Sequence, residues 1–335
     1  MIAKSDKQTL FFRLIIILLF VTYIVCSPCA SYAQKTIVAI PKATILNFWR
    51  IVCLGAHQAV DTPDIKLIWR GSRVENKPEA QQHLLEYYIA HNVDAIVLAP
   101  TNLKELNPYI EKATKAGIKV VLMGSPATTD SYDSYIATDN YKAGEIAAEL
   151  LFKRLTKPGP VLIIGNSLNN GSCALRTQGF IDKMQKISPG RSIISIHMRD
   201  GSEREARMAT EELMINNPDL TGIFAVSEST TDGALHTLTN HDESRIPFIG
   251  FDYNRKLIEA VRDGKIDALI TQRPYAMGFF GVRAAMDLLN GKEVPRNMES
   301  PVTVLTHENF ENAMSLRCLS RITDIEKADC PICFN

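Results

Sequence analysis

From Thr36 onward, short apolar runs rich in β-branched residues alternate with stretches whose apolar residues recur every three or four positions. The runs at Thr36 to Ile40, Ile65 to Trp69, Ala95 to Ala99, Ile118 to Met123 and Tyr135 to Ala137 predict strands. Of the intervening helices, Pro78 to His91 is the clearest, with Pro at its first turn and Leu84, Leu85, Tyr88 and Ile89 spaced for one buried face. The rhythm then restarts. Strand-like runs recur at Val161 to Ile164, Ser192 to His197, Gly222 to Val226, Pro247 to Gly250 and Ala268 to Thr271, separated by amphipathic segments such as Glu203 to Asn216.

Near-continuous apolar strands between helices indicate parallel sheets covered on both faces. Two such series predict two α/β lobes of similar build, and the halves echo each other: Asn92 to Ala99 and Asp219 to Val226 each close a helix, form a strand and end in a loop. Open parallel sheets bind ligands beyond the carboxyl ends of their strands. Two lobes whose strand ends face each other therefore predict a cleft suited to a small molecule. A doubly wound enzyme with one cofactor lobe is the competing architecture.

Ahead of this alternation stand Lys4, Lys7 and Arg13, an apolar run from Leu14 to Val25, and then Ser31-Tyr32-Ala33. That is the three-part layout of a secretory signal peptide, and its apolar run is shorter than the ~20 residues a spanning helix needs. The reading predicts export to the periplasm with cleavage after residue 33. A retained anchor is the alternative.

The 335 residues carry 37 Lys+Arg against 37 Asp+Glu, and removing the first 33 leaves an excess of two acids. With no basic surplus, a nucleic-acid partner has no electrostatic support. Apolar residues at 46% and charged residues at 22% are those of a soluble globular protein. Export makes disulfides plausible chemistry, and Cys318, Cys330 and Cys333 cluster near the end, with Cys318 to Cys330 or Cys333 as candidate bridges. The five cysteines beyond the signal are an odd number, so at least one thiol is unpaired.

Signatures of catalysis are missing. The first strand runs into Pro41-Lys42-Ala43-Thr44 without the glycines of a dinucleotide loop, and no Walker-type phosphate loop occurs. Gly165-Asn166-Ser167-Leu168-Asn169 has Asn where a nucleophile elbow needs its second glycine, and reads as an ordinary loop after a strand. His236 and His241 are five apart, which points them to different helix faces, so neither a metal site nor a cofactor is expected.

From about Thr36 to Asn309 the chain resembles the type 1 periplasmic binding proteins of the ribose and galactose class. The matching signposts are Phe48-Trp49, Asp94 to Pro100, Ala116 to Val121, Ile136 to Asn140, Arg176-x-x-Gly179-Phe180, Ile249 to Asp252 and Thr303 to Thr306, in that order. The resemblance implies two doubly wound parallel-sheet lobes joined by a three-segment hinge near Thr138 to Asn140, Gln272 to Pro274 and Asn297 to Pro301. It divides the chain into an N-terminal lobe of residues 34–138 plus 273–298, a C-terminal lobe of 139–272 plus 299–308, and a tail of 309–335.

It also implies ligand-binding residues. Phe48 and Trp49 take the place of an aromatic pair that stacks on a sugar ring, against the alternative that both are helix core. Arg176 takes the place of a ligand-forking arginine, Asp252 that of an acceptor carboxylate and Gln272 that of an amide at a hinge crossing. Thr138 and Asp139 at the first crossing, and Ser227 where the class has asparagine, complete the expected set. A helix cap near Asn254 competes for Asp252, and a surface ion pair for Arg176. Leu46, Ala99 and Gly124-Ser125 replace polar ligand groups of ribose-type proteins, which argues against ribose itself. Lys42 and Glu228 add charges that either meet a ligand or face water.

The implied function is a non-enzymatic solute-binding protein that closes over a sugar-like or small polar ligand and presents it to a membrane ABC importer. The segment Ser300 to Thr306 and the tail also look similar to the periplasmic partner of the trimethylamine-N-oxide sensor kinase, which keeps a ligand-sensing subunit of a histidine-kinase system as an alternative. A secreted α/β hydrolase is the second alternative.

Overall fold

The structure is a computed structural model and describes residues 34–240 and 245–315. The signal segment, His241 and the tail cysteines Cys318, Cys330 and Cys333 lie outside the described residues.

Two six-stranded sheets organise the chain. The first contains β1 (Lys35–Ile40), β2 (Ile65–Trp69), β3 (Ala95–Leu98), β4 (Lys119–Met123), β5 (Ser134–Ala137) and β11 (Asn297–Glu299), in the order β11-β5-β4-β3-β1-β2. The second contains β6 (Val161–Gly165), β7 (Ile193–His197), β8 (Gly222–Ala225), β9 (Phe248–Phe251), β10 (Ala268–Thr271) and β12 (Thr303–Thr306), in the order β12-β10-β9-β8-β6-β7. Every pairing is parallel except β10 with β12. The fold class is the two-lobed α/β architecture expected from the alternation.

Strand alternation sends successive side chains to opposite faces, and both faces are apolar because helices cover both. In the first lobe Ile37, Ala39, Val97 and Val121 pack against α1 (Asn47–Ala59) and α9 (Pro274–Leu289), whereas Val38, Ile40, Ile96 and Leu98 pack against α2 (Pro78–Ala90) and α3 (Asn107–Lys115). In the second lobe Val161, Ile163, Phe224 and Phe251 meet α4 (Asn140–Phe152) and α5 (Gly171–Ile187). Leu162, Ile164, Ile223 and Phe248 meet α6 (Glu203–Asn216), α7 (Glu228–Asn240) and α8 (Arg255–Arg262).

Each lobe seats its first helix pair by the same device. A Cβ on Gly55 would lie 2.0 Å from the carbonyl oxygen of Tyr275, and one on Gly278 would lie 2.0 Å from that of Val52, so α1 and α9 touch backbone to backbone. Gly144 and Gly179 repeat this between α4 and α5, at 2.1 Å from the Arg176 oxygen and 2.0 Å from the Tyr141 oxygen.

The chain passes between the sheets three times: from β5 into α4, from β10 into α9, and from β11 into β12. Because α9 returns to the first lobe, the two sheets are covalently interleaved.

Two local differences from the sequence reading have physical causes. The ninth strand begins at Phe248 rather than Pro247, since proline has no N–H for the ladder. On α2, Leu84 is only half-buried and Gln81 is fully buried. Its amide donates to the carbonyls of Pro41 and Ala99 and accepts from the N–H of Thr101, so a polar side chain pins the loops after β1 and β3. Apolar periodicity cannot register such a residue.

Candidate functional site

The strands of both sheets deliver their carboxyl ends to one cavity of about 40 Å³. The loop after β1 supplies Lys42 and Leu46, and the start of α1 supplies Phe48 and Trp49. From the other lobe, the loop after β6 supplies Asn170, α5 supplies Ser172, Cys173 and Arg176, and the ends of β8, β9 and β10 supply Ser227, Asp252 and Gln272. Glu75, Gly124, Glu228 and Ser229 complete the lining.

Six of the eight expected site residues, Phe48, Trp49, Arg176, Ser227, Asp252 and Gln272, therefore lie around this cavity. Two do not. Asp139 is the exposed N-cap of α4, where its carboxylate accepts from the Lys142 N–H, and it does not line the cavity. Thr138 is buried beside the crossing without lining the cavity. The neighbour that matters is Asn140, one position into the helix, whose Oδ1 accepts from Arg176 Nε at 2.9 Å.

Arg176 is only 3% exposed. Its Nη1 donates to the Val226 carbonyl at 2.8 Å and lies 3.9 Å from Asp252 Oδ2, while its guanidinium carbon sits 3.7 Å over the Phe251 ring. The surface ion pair is thus excluded. Asp252 does not cap α8 either, because Asn254 does so through the Leu257 N–H. Asp252 instead holds a left-handed backbone at φ 63°, with its carboxylate accepting from Gln272 Nε2 at 2.6 Å. Aspartate tolerates that conformation better than most residues, and the turn it makes aims the carboxylate into the cavity. Burial raises its pKa, while Arg176 and the Gln272 hydrogen bond pull it back.

The aromatic pair meets edge to face, with ring centroids 4.9 Å apart. Trp49 is 4% exposed and packs in the first lobe's core, and it also lines the cavity, with its Nε1 donating to Glu75 at 3.0 Å.

Lys42 and Glu228 do not face water. Lys42 is 4% exposed, donating to Asn170 Oδ1 at 2.6 Å and Ser172 Oγ at 3.0 Å, and burial lowers its pKa. Glu228 accepts from the Phe48 N–H at 3.1 Å, and burial pushes its pKa up to about 8. Both contacts cross from one lobe to the other. Asn76 Nδ2 to Asn166 Oδ1 at 2.7 Å and the Leu103 N–H to the Asn169 carbonyl at 2.8 Å add further bridges.

Sequence reasoning missed Glu75, Asn170, Ser172, Cys173 and Ser229. The signal for Asn170 and Ser172 was available in the rule that loops after parallel strands face the ligand. Gly165 to Asn170 is such a loop, set aside once its resemblance to a nucleophile elbow failed. Cys173 is buried and free, and burial raises its thiol pKa, which suits an inert packing residue. Among the described residues no group of His, Cys, Asp and Glu could hold a metal ion.

A family model described as a periplasmic binding protein domain matches residues 37–293. A ribose import binding protein of Bacillus subtilis is 27% identical over 235 residues, covering 70% of this chain and 75% of the relative. The periplasmic component of an ABC-type sugar transport system from Hahella chejuensis is 31% identical, with a TM-score of 0.77 over 81% of this chain and 99% of the other. A carbohydrate transporter solute-binding protein from Agrobacterium radiobacter, solved with D-arabinose, is 29% identical, with a TM-score of 0.81 over 87% and 99%.

Proposed function

The chain belongs to the periplasmic binding protein domain family, and we propose that it binds a sugar-like solute between its lobes and presents it to a membrane ABC importer. The observation that carries this reading is the convergence of strand ends from both sheets on one cavity, which combines two aromatic rings with buried hydrogen-bonding groups. Flat rings suit the C–H face of a sugar, and fixed carboxylate, amide and guanidinium groups discriminate its hydroxyls. Relatives named for ribose import and for sugar transport support the same class of ligand.

The protein acts by binding and closure, without making or breaking bonds. The lobes turn about the crossings at 138–140, 272–274 and 297–301. Ligand bridging of Phe48 and Trp49 to Arg176, Ser227, Asp252 and Gln272 stabilises the closed arrangement that Lys42, Glu228 and Asn76 already span. Export through a cleaved signal places this cycle in the periplasm, with Gln34 as the mature N-terminus.

A thermal-shift and calorimetric screen of purified protein against pentoses, hexoses and their derivatives tests the function. A ligand at 100 times its dissociation constant adds about 2.7 kcal/mol to stability. If no sugar or sugar derivative shifts the melting temperature, the proposal fails.

A further inference from the structure

We infer that the cavity contains a carboxylate subsite at the amino end of α5, so that the ligand is an acidic sugar, a polyhydroxy carboxylate. This deepens the solute-binding function proposed above and rests on it.

Three observations converge there. First, α5 spans 17 residues and begins at the cavity, but its N-cap residue Asn170 makes no side-chain cap hydrogen bond. The side-chain oxygen that meets this helix start is instead the neutral Ser125 Oγ, which accepts from the Ser172 N–H at 3.3 Å, so the partial positive charge there faces no anion. Second, the Asn170 side chain is turned toward Lys42, whose ammonium can only donate; Oδ1 must face it, and the amide nitrogen must face away. That Nδ2 is buried without a partner, on a residue 1% exposed. Third, Lys42 donates only to the neutral oxygens of Asn170 and Ser172, and no carboxylate among the described residues lies within ion-pair distance of it. A buried ammonium is costly until an anion pairs with it.

Helix end, orphaned amide N–H and uncompensated ammonium all border the same cavity, alongside Ser172. All three are satisfied at once by one anionic oxygen pair. A monoanion fits better than a phosphate dianion, because Glu75 also lines the cavity and acts electrostatically on Lys42. Arg176 already has a carboxylate beside it, Asp252 at 3.9 Å, so Lys42 is the lining cation left for a ligand anion. The rest of the lining asks for hydroxyls: the Asp252 carboxylate and the buried, unpartnered Gln272 Oε1 both accept. Carboxylate at one end and donating hydroxyls at the other describe an aldonic or uronic acid.

Isothermal titration of the purified protein compares glucose, galactose, ribose and arabinose with gluconate, glucuronate and galacturonate, and with glucose 6-phosphate. At least one sugar acid is expected to bind on the order of 100-fold more tightly than its neutral parent, and Lys42→Met to remove most of that advantage. Asn170→Asp, which keeps the acceptor for Lys42 but replaces the orphaned N–H with an anion, is expected to weaken the acid similarly and decides the matter should Lys42→Met fail to fold. Tight binding of neutral sugars with no preference for acids overturns the inference and leaves the solute-binding function standing. A preference for the phosphate, or undiminished acid binding in the variants, overturns it as well. Failure of every compound to bind removes the proposed function itself.

Discussion

Gln272 Nε2 donates to Asp252 Oδ1 at 2.6 Å, tying the second crossing between the lobes to the floor of the cavity. The bond orients both partners. It leaves Gln272 Oε1 buried without a partner and fixes the Asp252 carboxylate against Arg176. A residue at a crossing and a residue at a strand end thus present one acceptor surface to the cavity.

Asp252→Asn keeps this shape and removes the charge. Hydrogen bonds to charged groups contribute about 1.5–3 kcal/mol, so affinity for the ligand should fall by roughly 10- to 150-fold. Calorimetry checks this, and affinity within a factor of two of wild type would remove Asp252 from the ligand contacts.

Arg176→Ala is expected to damage the fold as well as the site. The side chain holds Asn140, the Val226 carbonyl and Asp252 while almost wholly buried. Removing one partner of a buried charged pair costs about 3–5 kcal/mol. Urea unfolding of the unliganded variant should show a loss of unfolding free energy of that order, and an unchanged midpoint would contradict the network.

Glu228 makes stability depend on pH. Its folded pKa of about 8 exceeds the ordinary value of 4.5, so between those values the folded chain holds a proton that the unfolded chain has released. The contribution is therefore fully present below about pH 4.5 and is lost as pH rises through 8, by on the order of a few kcal/mol. Glu228→Gln should flatten the melting temperature between pH 5 and 8.5 and stabilise the protein at the alkaline end. A variant with the wild-type slope would show that another group titrates.

Gly179→Ala should unseat α5 from α4, since its Cβ would meet the Tyr141 carbonyl at 2.0 Å, a backbone atom that cannot swing aside. Overpacking costs about 1–3 kcal/mol or more. Because α5 carries both Arg176 and Ser172, ligand affinity should drop along with the melting temperature; loss of neither would mean that the helices can separate freely.

What the sequence determined by itself was the repetition. β-Branched runs at a strand's length, alternating with helical spacing, specify parallel layers because each side chain's face follows from local geometry alone, and the place of Phe48 and Trp49 at the cavity was implied by the resemblance that their motif carries. What only the tertiary structure decided was which polar groups meet. Asp139 and Asn140 are adjacent in sequence, yet one caps a helix in solvent and the other grips Arg176, because the backbone is still extended at Asp139 and turns helical at Asn140. Lys42 and Asn170 are separated by 128 positions, and their bond exists only once two sheets bring their strand ends together. Charge and hydrogen bonding act through space at a few ångströms, so the cavity's chemistry is written in distances that a linear order of residues does not contain.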